Sequence, residues 1–115
     1  MGKFCNNRRK PKRKGKKVTV GKAEAVPAGR GATVQLKGGG EIALFNVGGN
    51  FYAIENFCPH KGAPLADSKI YGSVVECSLH GWRFDVRNGD CFTKSNCSVE
   101  SYEVVVEDGW IKVLI

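Results

Sequence analysis

The sequence has few of the features that mark membrane, secreted or helical proteins. Among its 115 residues, no apolar run approaches the roughly 20 residues that a membrane-spanning helix needs. Its basic N-terminus continues into more basic residues and lacks the apolar segment of a secretory signal. No 3.6-residue hydrophobic period persists for three turns, so we expect little helix. These absences, with a length typical of one domain, predict a soluble, cytoplasmic, single-domain protein.

Acidic residues are absent from the first 17 positions, which contain nine lysines and arginines. The whole chain has 18 Lys and Arg, 11 Asp and Glu, and a formal net charge of +7. Residues 18–115 therefore contain nine basic and all 11 acidic residues, so that this part is slightly negative. A long run of one charge is typical of a solvated interaction tail. We predict a disordered basic arm over residues 1–17 and one folded domain over residues 18–115.

The predicted domain has the sequence pattern of an antiparallel β protein. The chain contains 15 glycines and 4 prolines, and short apolar or alternating segments stand between turn sequences. Strands are predicted over residues 18–20, 32–37, 41–47, 51–55, 74–76, 83–86, 99–107 and 110–115. Gly48-Gly49-Asn50 and Asp108-Gly109 are expected to form hairpin turns, where glycine and asparagine accept positive φ. The pattern predicts an all-β domain with two loops inserted late in the chain.

Those two loops contain both histidines of the chain, each close to a cysteine. The first loop reads CPHKGAPL (residues 58–65), and the second reads CSLHGWRFD (residues 77–85). The candidate metal ligands are Cys58, His60, Cys77 and His80. An odd number of cysteines, five in all, without a secretory signal argues against a scaffold built on disulfides. Metal ligation is therefore favoured, and Cys91 and Cys97 are expected to be free thiols.

Two thiolates and two imidazoles can bind either zinc or an iron–sulfur cluster. Zinc would take all four ligands on one ion, commonly with two to four residues between paired ligands. The single residue between Cys58 and His60 is a shorter spacing than that. A [2Fe-2S] cluster with mixed ligands has two cysteines on one iron and two histidines on the other. Each loop would then give one ligand to each iron, so the cluster is favoured and zinc is the alternative.

The two loops resemble the Rieske [2Fe-2S] signature, C-x-H followed, after 16 intervening residues, by C-x-x-H. The sequence H-G-x-x-F-D that starts at the second histidine is similar to that signature as well. Over residues 18–115 the resemblance implies a Rieske fold, a small antiparallel β-sandwich or barrel-like domain with a two-loop cluster-binding subdomain. It implies one [2Fe-2S] cluster, with Cys58 and Cys77 on the inner iron and His60 and His80 on the outer iron.

The resemblance implies an electron carrier and not an enzyme. A soluble Rieske-type ferredoxin would move one electron between a reductase and a terminal oxygenase or reductase, and these proteins are the expected partners. The small Rieske-type subunit of an NAD(P)H-dependent nitrite reductase is the alternative, because the ending CSVESYEVVVEDGWIKV (residues 97–113) resembles that subunit somewhat better. The basic arm is expected to contact an acidic partner surface. A zinc-stabilised module that binds nucleic acid is the second, less favoured alternative.

Two departures from the respiratory Rieske proteins concern the surroundings of the cluster. That subfamily has an extra cysteine in each loop, joined in a disulfide, whereas Ala63 and Leu79 occupy these positions here. It also places hydroxyl groups near the cluster, where this sequence has Trp82 and Phe84. Fewer donors to the cluster sulfurs destabilise the electron-rich reduced state. The expected potential therefore lies in the lower part of the Rieske range of about −150 to +300 mV.

Overall fold

The computed structural model describes five stretches of the chain: residues 16–37, 40–58, 64–78, 81–93 and 97–115. These stretches contain ten β-strands and one short 3-10 helix, Ala23–Ala25. The strands are β1 Lys17–Lys22, β2 Gly31–Gln35, β3 Glu41–Val47, β4 Asn50–Glu55, β5 Lys69–Tyr71, β6 Val74–Glu76, β7 Arg83–Asp85, β8 Ser101–Tyr102, β9 Val104–Glu107 and β10 Trp110–Leu114. The all-β prediction is confirmed. The described residues include no helix that is long and apolar enough to cross a membrane.

The strands pair antiparallel in three sheets. One three-stranded sheet has the order β1-β10-β9, a four-stranded sheet has the order β2-β3-β4-β8, and a second three-stranded sheet has the order β5-β6-β7. Both predicted ligand cysteines follow the end of a strand: Cys77 comes directly after β6, and Cys58 is the third residue after β4. The sheets therefore fix the points at which both ligand loops start.

Two hairpin turns follow the sequence prediction. In the β3–β4 hairpin, Gly48 and Gly49 form the turn with φ angles of 61° and 96°. In the β9–β10 hairpin, Asp108 and Gly109 form the turn with φ angles of 53° and 80°. Positive φ at both central residues gives the turn a twist that matches the twist of the flanking strands. Both turn predictions are confirmed, and the turns set the register of the two hairpins.

Strand β3 separates two apolar cores. Its side chains alternate between them: Ile42 and Leu44 lie in one core, and Ala43 and Phe45 lie in the other. The first, which we call the body core, consists of Val26, Ile42, Leu44, Ala53, Ile111 and Val113. The second, the site core, consists of Ala43, Phe45, Ile54, Cys58, Leu65, Ala66, Val75, Cys77, Trp82, Phe84, Val86, Cys97 and Val99. The unbroken apolar run of β3 thus belongs to a strand that is buried on both faces.

The structure differs from the predicted strands at two places. The sequence does not predict β5, which is three residues long and has only Ile70, at its centre, partly buried. So short a segment shows no usable periodicity. The predicted strand over residues 99–107 is divided, because β8 pairs with β4 whereas β9 pairs with β10. The chain therefore changes sheets at Glu103, between the two short strands.

Backbone hydrogen bonds join the border of the predicted basic arm to the end of the chain. The Lys16 N–H donates to the Ile115 carbonyl at 3.2 Å, and the Ile115 N–H donates to the Lys16 carbonyl at 2.9 Å. Lys17 Nζ lies 2.8 Å from the Glu107 carboxylate. Hydrogen bonding by Lys17 is the largest cause that lowers the pKa of Glu107 to about 2. Residues 1–15 lie outside the described residues, so the disorder of the arm stays a prediction.

Candidate metal centre

The structure brings two of the four predicted ligands into one buried core. Cys58 and Cys77 are 0% and 1% exposed, and neither is in a disulfide. Both belong to the site core. The other two predicted ligands, His60 and His80, lie outside the described residues. Within the described stretches, which lack both histidines, no group of three His, Cys, Asp or Glu side chains could hold a metal ion.

The first loop is closed by the side chain of Asn56, two residues before Cys58. Asn56 Oδ1 accepts hydrogen bonds from the backbone N–H groups of Leu65 and Ala66, both at 2.7 Å. Because Leu65 and Ala66 lie where the chain leaves the loop, one side chain joins the entering and the leaving segments. Asn56 is 7% exposed, so these hydrogen bonds are largely shielded from water.

The same side chain is also tied to the four-stranded sheet. Asn56 Nδ2 donates to Glu41 Oε1 at 2.9 Å and to Thr33 Oγ1 at 3.3 Å. The Asn56 backbone N–H donates to the Glu41 carbonyl at 3.1 Å. Gln35 Nε2 donates to the other oxygen of the Glu41 carboxylate at 2.7 Å. The first ligand loop is therefore fastened to β2 and β3.

The second loop, between β6 and β7, is closed at its base by backbone hydrogen bonds. The Cys77 N–H donates to the Trp82 carbonyl at 2.7 Å, and the Gly81 N–H donates to the Cys77 carbonyl at 3.0 Å. Gly81 has a φ of 71°, in the left-handed region that favours glycine. A Cβ at this position would lie 3.2 Å from Glu76 Oε2. The pairing of β6 with β7 thus places Cys77 at the base of the loop.

The turn after β7 is held by Asp85 and Arg87. Asp85 is 4% exposed, and its carboxylate accepts hydrogen bonds from Arg87 Nε at 3.0 Å, from Arg87 Nη2 at 2.9 Å and from the Arg87 backbone N–H at 2.9 Å. The side-chain hydrogen bonds of Arg87 lower the pKa of Asp85. The Gly89 N–H donates to the Asp85 carbonyl at 2.7 Å, and the Val99 N–H donates to the Gly89 carbonyl at 2.9 Å. The end of the second motif is thereby connected to the segment at Val99.

Four further residues singled out in the sequence have defined positions. Trp82 and Phe84 are 8% and 0% exposed and share the site core with the two ligand cysteines. The thiols are therefore surrounded mainly by apolar side chains. Cys91 is not in a disulfide, which agrees with the expectation for this residue. Cys97 is disulfide-bonded, so the expectation of a free thiol is wrong there.

Asn56 and Arg87 are two residues near the candidate site that sequence reasoning does not identify. The position of Asn56, just before the first motif, is the one signal that the sequence carries for it. The N–H groups that it binds lie nine and ten positions further along the chain, so no local pattern indicates these contacts. Arg87 follows the second motif in a segment that the sequence identifies only as a turn.

Comparison with known proteins decides the family. Residues 16–103 match the family described as the Rieske [2Fe-2S] domain. The chain belongs to this Rieske family. The Rieske protein is 37% identical over 90 residues to the ferredoxin component of the naphthalene 1,2-dioxygenase system of Pseudomonas putida. That match covers 74% of this chain and 78% of the relative.

Solved structures share the fold of this Rieske protein. A chain in the complex of reduced oxygenase and oxidized ferredoxin of carbazole 1,9a-dioxygenase superposes with a TM-score of 0.77 at 32% identity, covering 85% of this chain and 92% of that one. A protein described as an NADH-dependent nitrite reductase small subunit of Mycobacterium tuberculosis superposes with a TM-score of 0.80 at 26% identity, covering 87% of this chain and 95% of that one. The fold prediction is therefore confirmed.

The described residues fit the [2Fe-2S] cluster of the family. Cys58 and Cys77 come from two different loops, are buried in one core and are not in disulfides, as an iron bound by two cysteines requires. The Rieske protein carries one such cluster, which takes up and gives up one electron when bound. The apolar side chains around the thiols keep water away from them. Since the relatives are ferredoxin components, the protein is an electron carrier and not itself an enzyme.

Proposed function

We propose that this Rieske ferredoxin carries single electrons from a reductase to a terminal oxygenase, and that its cluster is held by Cys58, His60, Cys77 and His80. The observation that carries the proposal is the presence of two buried cysteines, neither in a disulfide, at the bases of the two motif loops. In this assignment the cysteines bind the inner iron and the histidines bind the outer iron. The relative from Pseudomonas putida serves a dioxygenase system, which supports an oxygenase as the acceptor.

The side chains around the two thiols favour a low reduction potential. Neither Trp82 nor Phe84 has a hydroxyl group to donate to a cluster sulfur or a cysteine ligand. Hydrogen bonds to these sulfurs stabilise the reduced, more negative state, so fewer of them lower the potential. The proposed potential lies in the lower part of the Rieske range of about −150 to +300 mV.

The basic arm is proposed to steer the ferredoxin to its partner. Residues 1–17 contain nine positive side chains and no acidic residue, and such a charge attracts an acidic surface over several ångströms. The proposed organisation is a basic arm over residues 1–17, of which Lys16 and Lys17 pair with the end of the chain and with Glu107, and a Rieske domain over residues 18–115, in a cytoplasmic protein. Nucleic-acid binding through the arm is the competing role, since duplex DNA attracts the same charges.

A nitrite reductase is the second candidate acceptor. The structural likeness to the small subunit from Mycobacterium tuberculosis and the similarity of residues 97–113 to such subunits favour it. The sequence relative from a dioxygenase system favours the oxygenase, which we therefore put first. The family match likewise favours a [2Fe-2S] cluster over the zinc alternative.

Reconstitution of electron transfer tests this function. The purified protein is expected to show the visible absorption of a [2Fe-2S] cluster, with iron and sulfide in equal amounts, whereas a zinc protein would be colourless. It is then combined with an NADH-dependent reductase and a terminal oxygenase of a naphthalene 1,2-dioxygenase system. Product formation should require the ferredoxin. Reduction without any transfer to the oxygenase, but with transfer to a nitrite reductase, would favour the second acceptor.

The ligand set is tested with Cys77→Ser and a matched control, Cys91→Ser. Neither cysteine is in a disulfide, but only Cys77 belongs to the motif. We expect Cys77→Ser to lose the cluster absorption and the electron paramagnetic resonance signal, because serine is a poor substitute for a thiolate ligand of iron. Cys91→Ser should keep both. A normal, stoichiometric cluster in Cys77→Ser would show that the ligand assignment is wrong.

A further inference from the structure

Asn56 connects three parts of the domain through one buried side chain. Its Oδ1 accepts from two consecutive backbone N–H groups, those of Leu65 and Ala66, at 2.7 Å. Its Nδ2 donates to Glu41 at 2.9 Å, at the first residue of β3. Residues 57–64, between these contacts, include the first proposed ligand pair. The loop that would hold one side of the cluster is thus closed by the side-chain amide of Asn56. We call the place where residue 56 meets residues 65–66 the neck of the loop.

We propose that Asn56 is a positioning residue that keeps the first ligand loop closed and thereby slows the loss of iron from the cluster. The proposal rests on the proposed ligand set, because it takes Cys58 to be a ligand. Asn56 acts through the backbone of Leu65 and Ala66 and not by contact with the cluster. Its two hydrogen bonds hold the two ends of the loop, at residue 56 and at residues 65–66, together.

Burial at the neck makes these hydrogen bonds hard to replace. Leu65 and Ala66 are 0% and 5% exposed, so water has little access to their N–H groups. A buried donor that loses its acceptor costs free energy, which opposes opening of the loop. The neck is also closely packed, because a Cβ at Gly31 would lie 2.7 Å from the Ala66 carbonyl oxygen. The segment therefore has little room to move towards β2 and find another acceptor.

Asn46 offers a matched control. It is also 7% exposed, and it lies on β3. Its Nδ2 donates to the Val26 carbonyl at 2.7 Å, and its Oδ1 accepts from the Gly49 N–H at 2.8 Å. Neither contact involves a ligand loop. Replacement of either asparagine by leucine therefore leaves backbone groups without a partner, but only the replacement of Asn56 releases the neck of a ligand loop.

The experiment compares Asn56→Leu with Asn46→Leu in the cluster-loaded protein. Iron release to a chromogenic chelator is followed at a fixed temperature below unfolding, and the Tm is measured by far-UV circular dichroism. We expect Asn56→Leu to release iron about tenfold faster than the unaltered protein and Asn46→Leu to stay within about twofold of it. This difference should persist when both variants lower the Tm by similar amounts. Equal release rates at similar Tm would overturn the proposal.

Exchanging the amide of Asn56 and the carboxylate of Glu41 isolates the role of the acceptor oxygen at position 56. Asn56→Asp keeps an oxygen for Leu65 and Ala66 but places a second carboxylate against that of Glu41. Adding Glu41→Gln supplies an N–H donor to the new carboxylate, while the oxygen of the glutamine can still accept from Gln35. We expect Asn56→Asp with Glu41→Gln to release iron within about threefold of the unaltered rate, and Asn56→Leu with Glu41→Gln to stay fast.

The leucine variants and the aspartate variants together test the proposal even if one of them assembles no cluster. If Asn56→Leu assembles no cluster, the aspartate variants give the answer: slow release in Asn56→Asp with Glu41→Gln supports the role of the acceptor oxygen. Fast release in that double variant overturns it. Failure of the ligand assignment would be seen separately, as a cluster that survives Cys77→Ser. The release rates therefore test Asn56 independently of the test of the ligands.

Discussion

The carboxylate of Asp85 and the guanidinium of Arg87 form a bidentate ion pair, with Nε and Nη2 at 3.0 and 2.9 Å from the two carboxylate oxygens. The Asp85 side chain is 5% exposed, whereas that of Arg87 is 57% exposed. Bidentate pairs of this kind are stronger and more directional than single hydrogen bonds. The pair therefore fixes the turn that follows β7, the strand on which Phe84 of the site core lies.

Removal of the Asp85 charge is expected to destabilise the domain. Asp85→Asn weakens three hydrogen bonds at a buried group, so the free energy of unfolding at neutral pH should fall by about 1–3 kcal/mol. Because Arg87 lowers the pKa of Asp85, this contribution is complete above the ordinary aspartate pKa of about 3.9. It is lost as the pH falls through the lowered pKa. Chemical denaturation at several pH values measures both effects.

The exposed Asp90 supplies the control for this experiment. Asp90→Asn removes a carboxylate from the same turn region without disturbing the pair, and should change the free energy of unfolding by less than about 0.5 kcal/mol. The difference between the unaltered protein and Asp85→Asn should be constant from neutral pH down to about 5 and shrink below about 4. A difference that grows with acidity would contradict the assignment of the pair.

A hydroxyl group added beside the ligand cysteines is expected to raise the reduction potential. Phe84 is 0% exposed and shares the site core with both thiols. In Phe84→Tyr the new O–H can donate to a sulfur and stabilise the reduced state. A bond of about 1–2 kcal/mol corresponds to about 40–80 mV for a one-electron couple. Trp82→Ser should act in the same direction, and protein-film voltammetry measures the shift.

Phe45→Tyr is the matched control for the potential. Phe45 is also 0% exposed in the site core, but it lies on β3 rather than beside the second loop. The same hydroxyl there should destabilise the protein without a comparable rise in potential. Phe84→Tyr and Trp82→Ser proteins whose potentials equal that of the unaltered ferredoxin would contradict the proposed effect of the missing hydroxyls.

Alanine substitutions at two glycines with the same φ distinguish the cost of backbone strain from the cost of a steric clash. Gly29 and Gly89 both have a φ of 83°. A Cβ would have open space at Gly29 but would collide with the Val99 carbonyl at Gly89. Gly29→Ala should cost about 1–2 kcal/mol, the usual strain of the left-handed region. Gly89→Ala should cost clearly more, and thermal denaturation of the two variants gives the comparison. Equal losses would mean that the turn relaxes around the new methyl group.

Deletion of residues 1–15 tests the steering role of the basic arm. Lys16 and Lys17 are kept, because they pair with the end of the chain and with Glu107. The absorption spectrum and the potential should not change. The rate of electron transfer with the partner should fall at low salt, and the difference should shrink at 0.15 M, where the Debye length is about 8 Å. Stopped-flow rates across a salt series measure this.

A variant whose arm keeps its length but has glutamine in place of its lysines and arginines separates the effect of charge from the effect of length. This variant should behave like the deletion if charge steers the ferredoxin. Rates that do not depend on the arm at any salt concentration would dismiss steering. Nucleic-acid binding predicts instead that the arm alone, fused to an inert carrier, binds duplex DNA with an affinity that falls steeply with salt.

Local chemistry accounts for what the sequence predicts well. The Gly48-Gly49 and Asp108-Gly109 turns can be read directly, because positive φ is a property of the residues themselves. The candidate ligand cysteines are identified by their spacing to histidine, and their assignment as ligands stays a prediction. The structure buries both cysteines in one core.

Contacts between distant segments account for what the sequence does not predict. β5 has three residues and owes its existence to pairing with β6. The change of sheets at Glu103 arises because β8 pairs with β4 whereas β9 pairs with β10. The closure of the first loop by Asn56 depends on two N–H groups of residues that only the fold brings near. None of these has a local pattern that a single sequence could show.

The two-sided burial of β3 divides its residues into two sets that can vary separately. Substitutions at Ala43 or Phe45 alter the packing of the site core, and those at Ile42 or Leu44 alter the packing against β10. Because the sets have different neighbours, their effects should be close to additive. Related proteins could therefore diverge in the packing of the site core through one set while inheriting an unchanged supporting scaffold through the other.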